Sequence, residues 1–317
     1  VFEPFTPRHF CREFVELQGS SSLAQLMAAI LGLKPLIDVW IMKDRLDQYL
    51  ELCRMYGLHA RIDTMSVYFK DAELKGEIIG RDRINTTRAM GIPFEADVNG
   101  TVHIYLSKDR NLLRKGMWYP LIIKDRVISQ PRADSLRFGH TLGYPECCIS
   151  FFKSYNNWFR YNFLHEVYRN SKKTFHHFCN PLAKDMPYTY IYHMPCSFNC
   201  TATMKAVHIL RNEIRKREPG YVKLIDMHLR LPYLVFFERN IYAFNGRLNG
   251  GTVTYTEVYP IDLMCAKVDY SSMFREGDRI VVENDKVHVY RGSSLLHIIE
   301  GGFHNKVREV PFLISFQ

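Results

Sequence analysis

Nothing in the chain stays apolar for the roughly 20 residues that a membrane-spanning helix requires. The longest run, Leu23 to Leu33, is broken by Gln25, so no membrane span is expected. The opening residues Val1-Phe2-Glu3-Pro4 lack the basic start and apolar stretch of a secretory leader. Several catalytic signatures are missing too. There is no Walker loop, no Gly-x-Ser-x-Gly elbow and no EF-hand, and His165-Glu166 is followed at position 169 by Arg169 rather than the second histidine of a zinc protease. Internal repeats, low-complexity tracts and dense basic runs are absent, so the net charge of +9 is spread over the surface. It favours anionic partners, a small molecule or a nucleic acid, without selecting one. The eight cysteines do not form the dense, even framework of a small secreted scaffold, which points to a reducing, cytoplasmic compartment.

What is present is an α+β pattern. With 317 residues, 47% of them hydrophobic, the chain can bury one large core or several smaller ones. Residues 1–132 read as an N-terminal mixed α/β domain. Thr6-Pro7 opens a helix ended by Gly19, Ser22 caps a second, Leu36 to Met42 is a strand, and Asp44 to Tyr56 is a helix closed by Gly57. Strands follow at Ala60 to Phe69 and Thr101 to Leu106, with a helix between them at Arg81 to Met90 and another between Ser107 and Gly116. Residues 133–220 read as a helical, aromatic-rich domain bearing the cysteines, with Pro219-Gly220 as its helix stop. Residues 221–317 form a small β-rich domain, a sheet or barrel, in which Arg279 to Val282 pairs with Lys286 to Tyr290 across Asn284-Asp285.

Two motifs stand out: Gly143-Tyr144-Pro145-Glu146-Cys147-Cys148 and Pro195-Cys196-Ser197-Phe198-Asn199-Cys200. Pro145 suits the first position of a helix and so puts Cys147 and Cys148 in its first turn. Ser197 or Asn199 caps a second helix running through Met204, Val207, His208, Leu210 and Ile214, with Cys200 at its start. Both pairs then lie at positive helix ends, which favour thiolate over thiol. Four thiolates repel one another unless a cation neutralises them. Adjacent cysteines diverge from a single tetrahedral zinc, so a 4Fe-4S cluster on Cys147, Cys148, Cys196 and Cys200 is expected. A zinc site and metal-free redox thiols remain open. His140 and His193, each three residues before a motif, and Glu146 are candidate acid/base groups. Cys11, Cys53, Cys179 and Cys265 are assigned to the core. Lys205, His208, Arg211, Arg215 and Lys216 recur along the second cysteine helix, a pattern that suits a solvated helix face as well as a phosphate-binding one.

The cysteine arrangement is similar to cube sites in which an adjacent pair is completed by a later pair, as in adenylylsulfate reductases, although the second pair here is Cys-x3-Cys and no Ser-Gly-Gly loop is found. The radical S-adenosylmethionine pattern fails at Thr203, where its third cysteine belongs. A closer match is to an uncharacterised prokaryotic family of unknown function, which the chain resembles through Gly143 to Cys148 and Pro195 to Cys200. That family implies no reaction. The residues themselves point to an iron-sulfur protein supporting redox or group-transfer chemistry on an anionic substrate. The alternatives are a zinc-stabilised RNA-binding module and a thiol oxidoreductase.

Overall fold

The structure is a computed structural model that describes residues 5–19, 22–69, 89–93, 100–114, 121–123, 126–129, 135–155, 160–172, 174–183, 186–237, 240–263, 268–304 and 307–317. Helices α1 (Arg12–Gln18) and α2 (Leu23–Ile30) come first. α1 starts later than Thr6-Pro7 predicts. The amides of Arg8, His9 and Phe10 instead donate to the buried carboxylate of Glu218, at 3.3, 3.1 and 3.0 Å, a distant acceptor that takes the place of a local cap. Ser22 does precede α2, but it is left-handed (φ 62) and its side chain makes no capping bond. α2 carries no charge and is buried along its whole length.

Strand β1 (Ile37–Met42), helix α3 (Leu46–Met55) and strands β2 (His59–Phe69), β3 (Ala89–Pro93) and β4 (Thr101–Ser107) follow. The strands form an antiparallel sheet ordered β1-β4-β2-β3. The helix predicted at Arg81 to Met90 lies outside the described residues for 81–88, and its last two residues belong to β3. The Ser107 hydroxyl accepts from the Asp109 amide at 2.9 Å ahead of α4 (Arg110–Arg114). The predicted end of that helix, Gly116, is outside the described residues. A two-stranded ribbon, β5 (Leu121–Ile123) and β6 (Arg126–Ser129), leads to the middle of the chain.

There the structure is helical: α5 (Ser135–Thr141), α6 (Glu146–Tyr155), α7 (Phe163–Arg169), α8 (Thr201–Arg217) and α9 (Pro219–Leu229). Pro219-Gly220 starts a helix and does not stop one. Proline lacks only an amide hydrogen that the first turn leaves unpaired anyway, and α9 sends Tyr221, Val222, Ile225 and Leu229 into the core built by α2, α3, β1, β4 and α8.

The C-terminal part contains β7 (Tyr233–Phe237), β8 (Asn240–Asn249), β9 (Thr252–Asp262), α10 (Ser271–Glu276), β10 (Arg279–Glu283), β11 (Lys286–Arg291), β12 (Ser294–Glu300), β13 (Phe303–His304), β14 (Val307–Arg308) and β15 (Phe312–Ile314). Seven of these strands make an open antiparallel sheet ordered β12-β11-β10-β9-β8-β7-β15. Asn284 and Asp285 are both left-handed (φ 48 and 63), the two-residue turn whose twist suits a hairpin, and β10 pairs with β11 as read from the sequence. β7 is apolar throughout because both faces are covered. Tyr233 and Val235 pack with Phe163, Val167 and Phe198, while Leu234 and Phe236 pack with Phe274 on the other side. Beyond β15 the chain returns to the middle region: Gln317 donates its amide to Phe175 O at 2.9 Å, and its carbonyl accepts from the His177 amide at 3.1 Å and from His177 Nδ1 at 2.6 Å. The fold is thus α+β, with a mixed N-terminal part, a helical cysteine-bearing middle and a sheet-rich C-terminal part. Among the described residues no helix is long and apolar enough to cross a membrane.

Candidate metal centre

The first motif is held by a close backbone approach. Gly143 is left-handed (φ +73), and a Cβ there would lie 2.7 Å from Pro35 Cδ, so both conformation and space call for glycine. Next to it, Lys34 sits over the Tyr144 ring (5.0 Å) and the Tyr192 ring (5.8 Å), tying the α2–β1 connection to residues beside both motifs. The Pro145 carbonyl accepts from the amides of Cys148 (2.9 Å) and Ile149 (3.0 Å). Pro145 therefore stands just before α6, one position earlier than predicted, with Cys147 and Cys148 in the first turn.

In the second motif neither Ser197 nor Asn199 caps α8. Asn199 accepts from the Lys172 amide at 2.8 Å and donates to Thr174 O. The cap is Cys200 itself, whose Sγ accepts from the Thr203 amide at 3.5 Å. A sulfur in this position lies on the positive end of the helix dipole.

The Sγ atoms of Cys147, Cys148, Cys196 and Cys200 all lie within 4.8 Å of one another, a set able to hold a metal ion. Cys147–Cys148 is 3.9 Å, and Cys200 is 3.6 Å from each of them. The adjacent pair thus converges, contrary to the expected divergence, because side chains in a first helical turn lean toward the N-terminal end and meet there. Cys148 and Cys200 are buried, Cys196 partly so, and Cys147 is exposed. The Cys196 amide donates to Cys148 Sγ at 3.4 Å, and Asn170 holds the Cys196 carbonyl at 2.8 Å. Cys179, assigned to the core, is buried against the cluster, but its thiol donates to the Cys200 carbonyl at 3.5 Å and stays outside the ligand set. Cys11 and Cys53 lie in the N-terminal core; Cys265 is outside the described residues.

The protons on these thiols show what the arrangement demands. Hydrogen bonds from Cys148 and Cys196, and then from Thr203, hold the Cys200 thiol far below its ordinary range despite burial. Bonds to Cys196 and Cys200, with burial, push Cys148 well up. At Cys196 the Cys148 contact favours the thiolate, but Cys200 and burial override it and push the group up to about 12. The protein alone supports one buried thiolate readily. A cation is what would let Cys148 and Cys196 ionise, so metal binding would release protons.

Of the acid/base candidates, only His193 joins this network. Its Nε2 lies 3.0 Å from Thr203 Oγ1, which is 3.6 Å from Cys148 Sγ. Burial, and then the charge of Lys34, push the imidazole down to about 3, so it is neutral at pH 7. Its ring packs on Tyr144 with centroids 5.0 Å apart. His140 and Glu146 pair with each other at 3.3 Å, with side chains 52% and 72% exposed. Glu146→Gln is expected to change stability by less than about 0.5 kcal/mol, in line with exposed ion pairs, and to leave metal content unchanged; metal analysis and urea unfolding check both. On α8, Arg211 is committed to Asp226, and Lys216 and Arg217 to Glu213. This weakens the helix as a phosphate-binding face. Thr203 and Asn170, which brace the cluster, were not identifiable as site residues in the sequence.

No curated protein and no solved structure matches the chain. The span that carries both cysteine motifs does match a family model: residues 102–231 are similar to an uncharacterised family, described as a protein of unknown function (DUF483).

Proposed function

We propose that the four cysteines hold a single zinc ion as a structural centre that fastens the start of α6 to the start of α8. The sulfur spacing carries this reading. A regular tetrahedron whose vertices lie about 2.3 Å from its centre, the zinc–thiolate distance, has edges of about 3.8 Å, against 3.9, 3.6 and 3.6 Å for the three sulfur pairs given above. A 4Fe-4S cube places a separate iron behind each thiolate and needs the sulfurs spread further apart. Four cysteine ligands leave no coordination position for water or substrate, which is the pattern of structural zinc and not of catalytic zinc. In this reading His193 positions Thr203 against Cys148 and does not act on a substrate, and His140 and Glu146 are surface groups.

Anaerobic purification followed by zinc, iron and acid-labile sulfide analysis tests the proposal. One zinc per chain without sulfide is expected. Iron and sulfide in equal amounts would replace it with the cube, and with it the redox or group-transfer reading. A second measurement concerns stability. A metal that binds only the folded chain contributes about 4 kcal/mol when free metal exceeds Kd about 1,000-fold. Chelation should therefore lower the urea midpoint, and added zinc should restore it. An unchanged midpoint in a chain shown to have lost its metal would remove the structural role.

A further inference from the structure

The second candidate site lies on the C-terminal sheet, away from the cysteines. On β9, Thr254 pairs directly with Arg247 of β8 on one side and Arg279 of β10 on the other, and Arg279 in turn pairs with Tyr290 of β11. Directly opposed residues of antiparallel strands present their side chains on one face. Two arginines therefore flank a threonine in a row of three strands, on backbones about 10 Å apart, two strand spacings. Burial agrees with this alternation: Thr254 and Arg247 are exposed, whereas the flanking Val253 and Tyr255 are buried on the opposite face.

The row lies in an open cleft of about 510 Å³ that also includes Asn245, Asp278 and Gly292, within the range of about 300 to 1,000 Å³ usual for small-ligand sites. Arg279 is fixed in place. Its guanidinium lies over the Tyr290 ring at 4.4 Å and donates to Gly292 O at 3.0 Å, while its Nε has no protein acceptor. Arg279 forms no ion pair among the described residues; Asp278, which lines the cleft, accepts from the Gly292 amide at 3.0 and 3.1 Å. Arg247 is exposed and has no protein partner among the described residues.

We infer that this cleft binds a phosphate group, with Arg247 and Arg279 as two forks and Thr254 between them. Guanidinium forks match phosphate oxygens in geometry and charge. A carboxylate has two oxygens and is filled by one fork, whereas a terminal phosphate has three to share among both forks and the hydroxyl. The net charge of +9 steers such a ligand toward the protein. Neither the cleft nor its ligand depends on which metal the cysteines hold.

The test titrates the full metal-loaded chain with ADP by calorimetry and with a short single-stranded RNA by fluorescence anisotropy, at one fixed salt concentration. Arg247→Gln should weaken binding about tenfold or more, the loss of one charge-assisted contact. Lys205→Gln, which removes the same charge from α8, should change it less than about twofold. Arg279→Lys, which keeps the charge and loses the fork, should also weaken binding; circular dichroism confirms that each variant is folded. Binding of ADP alone assigns a free nucleotide, binding of RNA alone assigns chain phosphates, and Arg247 dependence of either supports the site. Equal losses from Arg247→Gln and Lys205→Gln would reduce it to diffuse surface charge. No binding of either probe at about 1 mM would overturn it.

Discussion

Cys200→Ser should strip the chain of its metal while leaving α8 capped, and Cys200→Ala should lose both. Cys200 is buried and its sulfur lies 3.6 Å from both Cys147 and Cys148, so without it a cation has three ligands and an open face. Serine is a poor zinc ligand but a preferred N-cap, and its hydroxyl can accept from the Thr203 amide as the sulfur does. Alanine cannot. Both variants should lose the metal contribution, about 4 kcal/mol at saturating zinc, and alanine about 1 kcal/mol more. Cys148→Ser should lose metal as well. Cys11→Ser and Cys53→Ser, which place a hydroxyl among apolar side chains far from the cluster, should keep full metal and cost about 0.5 to 3 kcal/mol. Metal per chain and urea unfolding across these variants decide the matter. Full metal in Cys148→Ser and Cys200→Ser together with loss in Cys11→Ser or Cys53→Ser would mean that the centre lies elsewhere.

The second large effect is expected at Asp226. This α9 carboxylate accepts from Arg211 Nε at 3.1 and 3.0 Å and from Tyr190 OH at 2.9 Å, and lies 3.5 Å from His177 Nε2. Removing one partner of a buried ion pair costs about 3 to 5 kcal/mol. The Arg211 side chain is 21% exposed, and water recovers part of its charge. Asp226→Asn should therefore cost about 2 to 4 kcal/mol at pH 7. Burial alone would raise this carboxyl, but the His177, Arg211 and Tyr190 contacts together hold it well below the usual carboxylate range. A group whose folded pKa is depressed stabilises the fold above its unfolded value, and that stability is lost as pH falls through the folded one. The gap between parent and Asp226→Asn should be full above about pH 5 and narrow below about pH 4. Urea unfolding at a series of pH values measures it, and a gap that stays constant down to about pH 3 would show that the charge at Asp226 contributes nothing.

Much of the fold could be read from residue order because the signals were local. Alternating residues placed β4 and β9, Gly57 marked the end of α3, and Asn284-Asp285 fixed a hairpin whose turn geometry few other pairs tolerate. The cysteine motifs also declared themselves, since two pairs behind prolines at helix starts have a shared electrostatic consequence. Tertiary partners were hidden. Pro219-Gly220 carries both a start and a stop signal, and the structure resolves it with Glu218, a carboxylate occupied by amides more than 200 residues away. The cap at Cys200 is hidden in the sequence because cysteine seldom serves as one. It does so here because thiolate and helix end attract each other. Spacing favours the cube over zinc only where Cys147 and Cys148 diverge, and side-chain direction is a property that sequence spacing does not contain.

The bonds between Gln317 and residues Phe175 and His177 also bear on the order in which contacts form during synthesis. His177 precedes its acceptor by 140 residues, which a ribosome adding about 5 to 20 residues per second takes about 7 to 28 s to deliver. All four ligand cysteines emerge well before that. In the proposed metal-bound form, a nascent chain can therefore gather its four thiolates around an ion before the residues that tie the C-terminal end back to the middle region have been made.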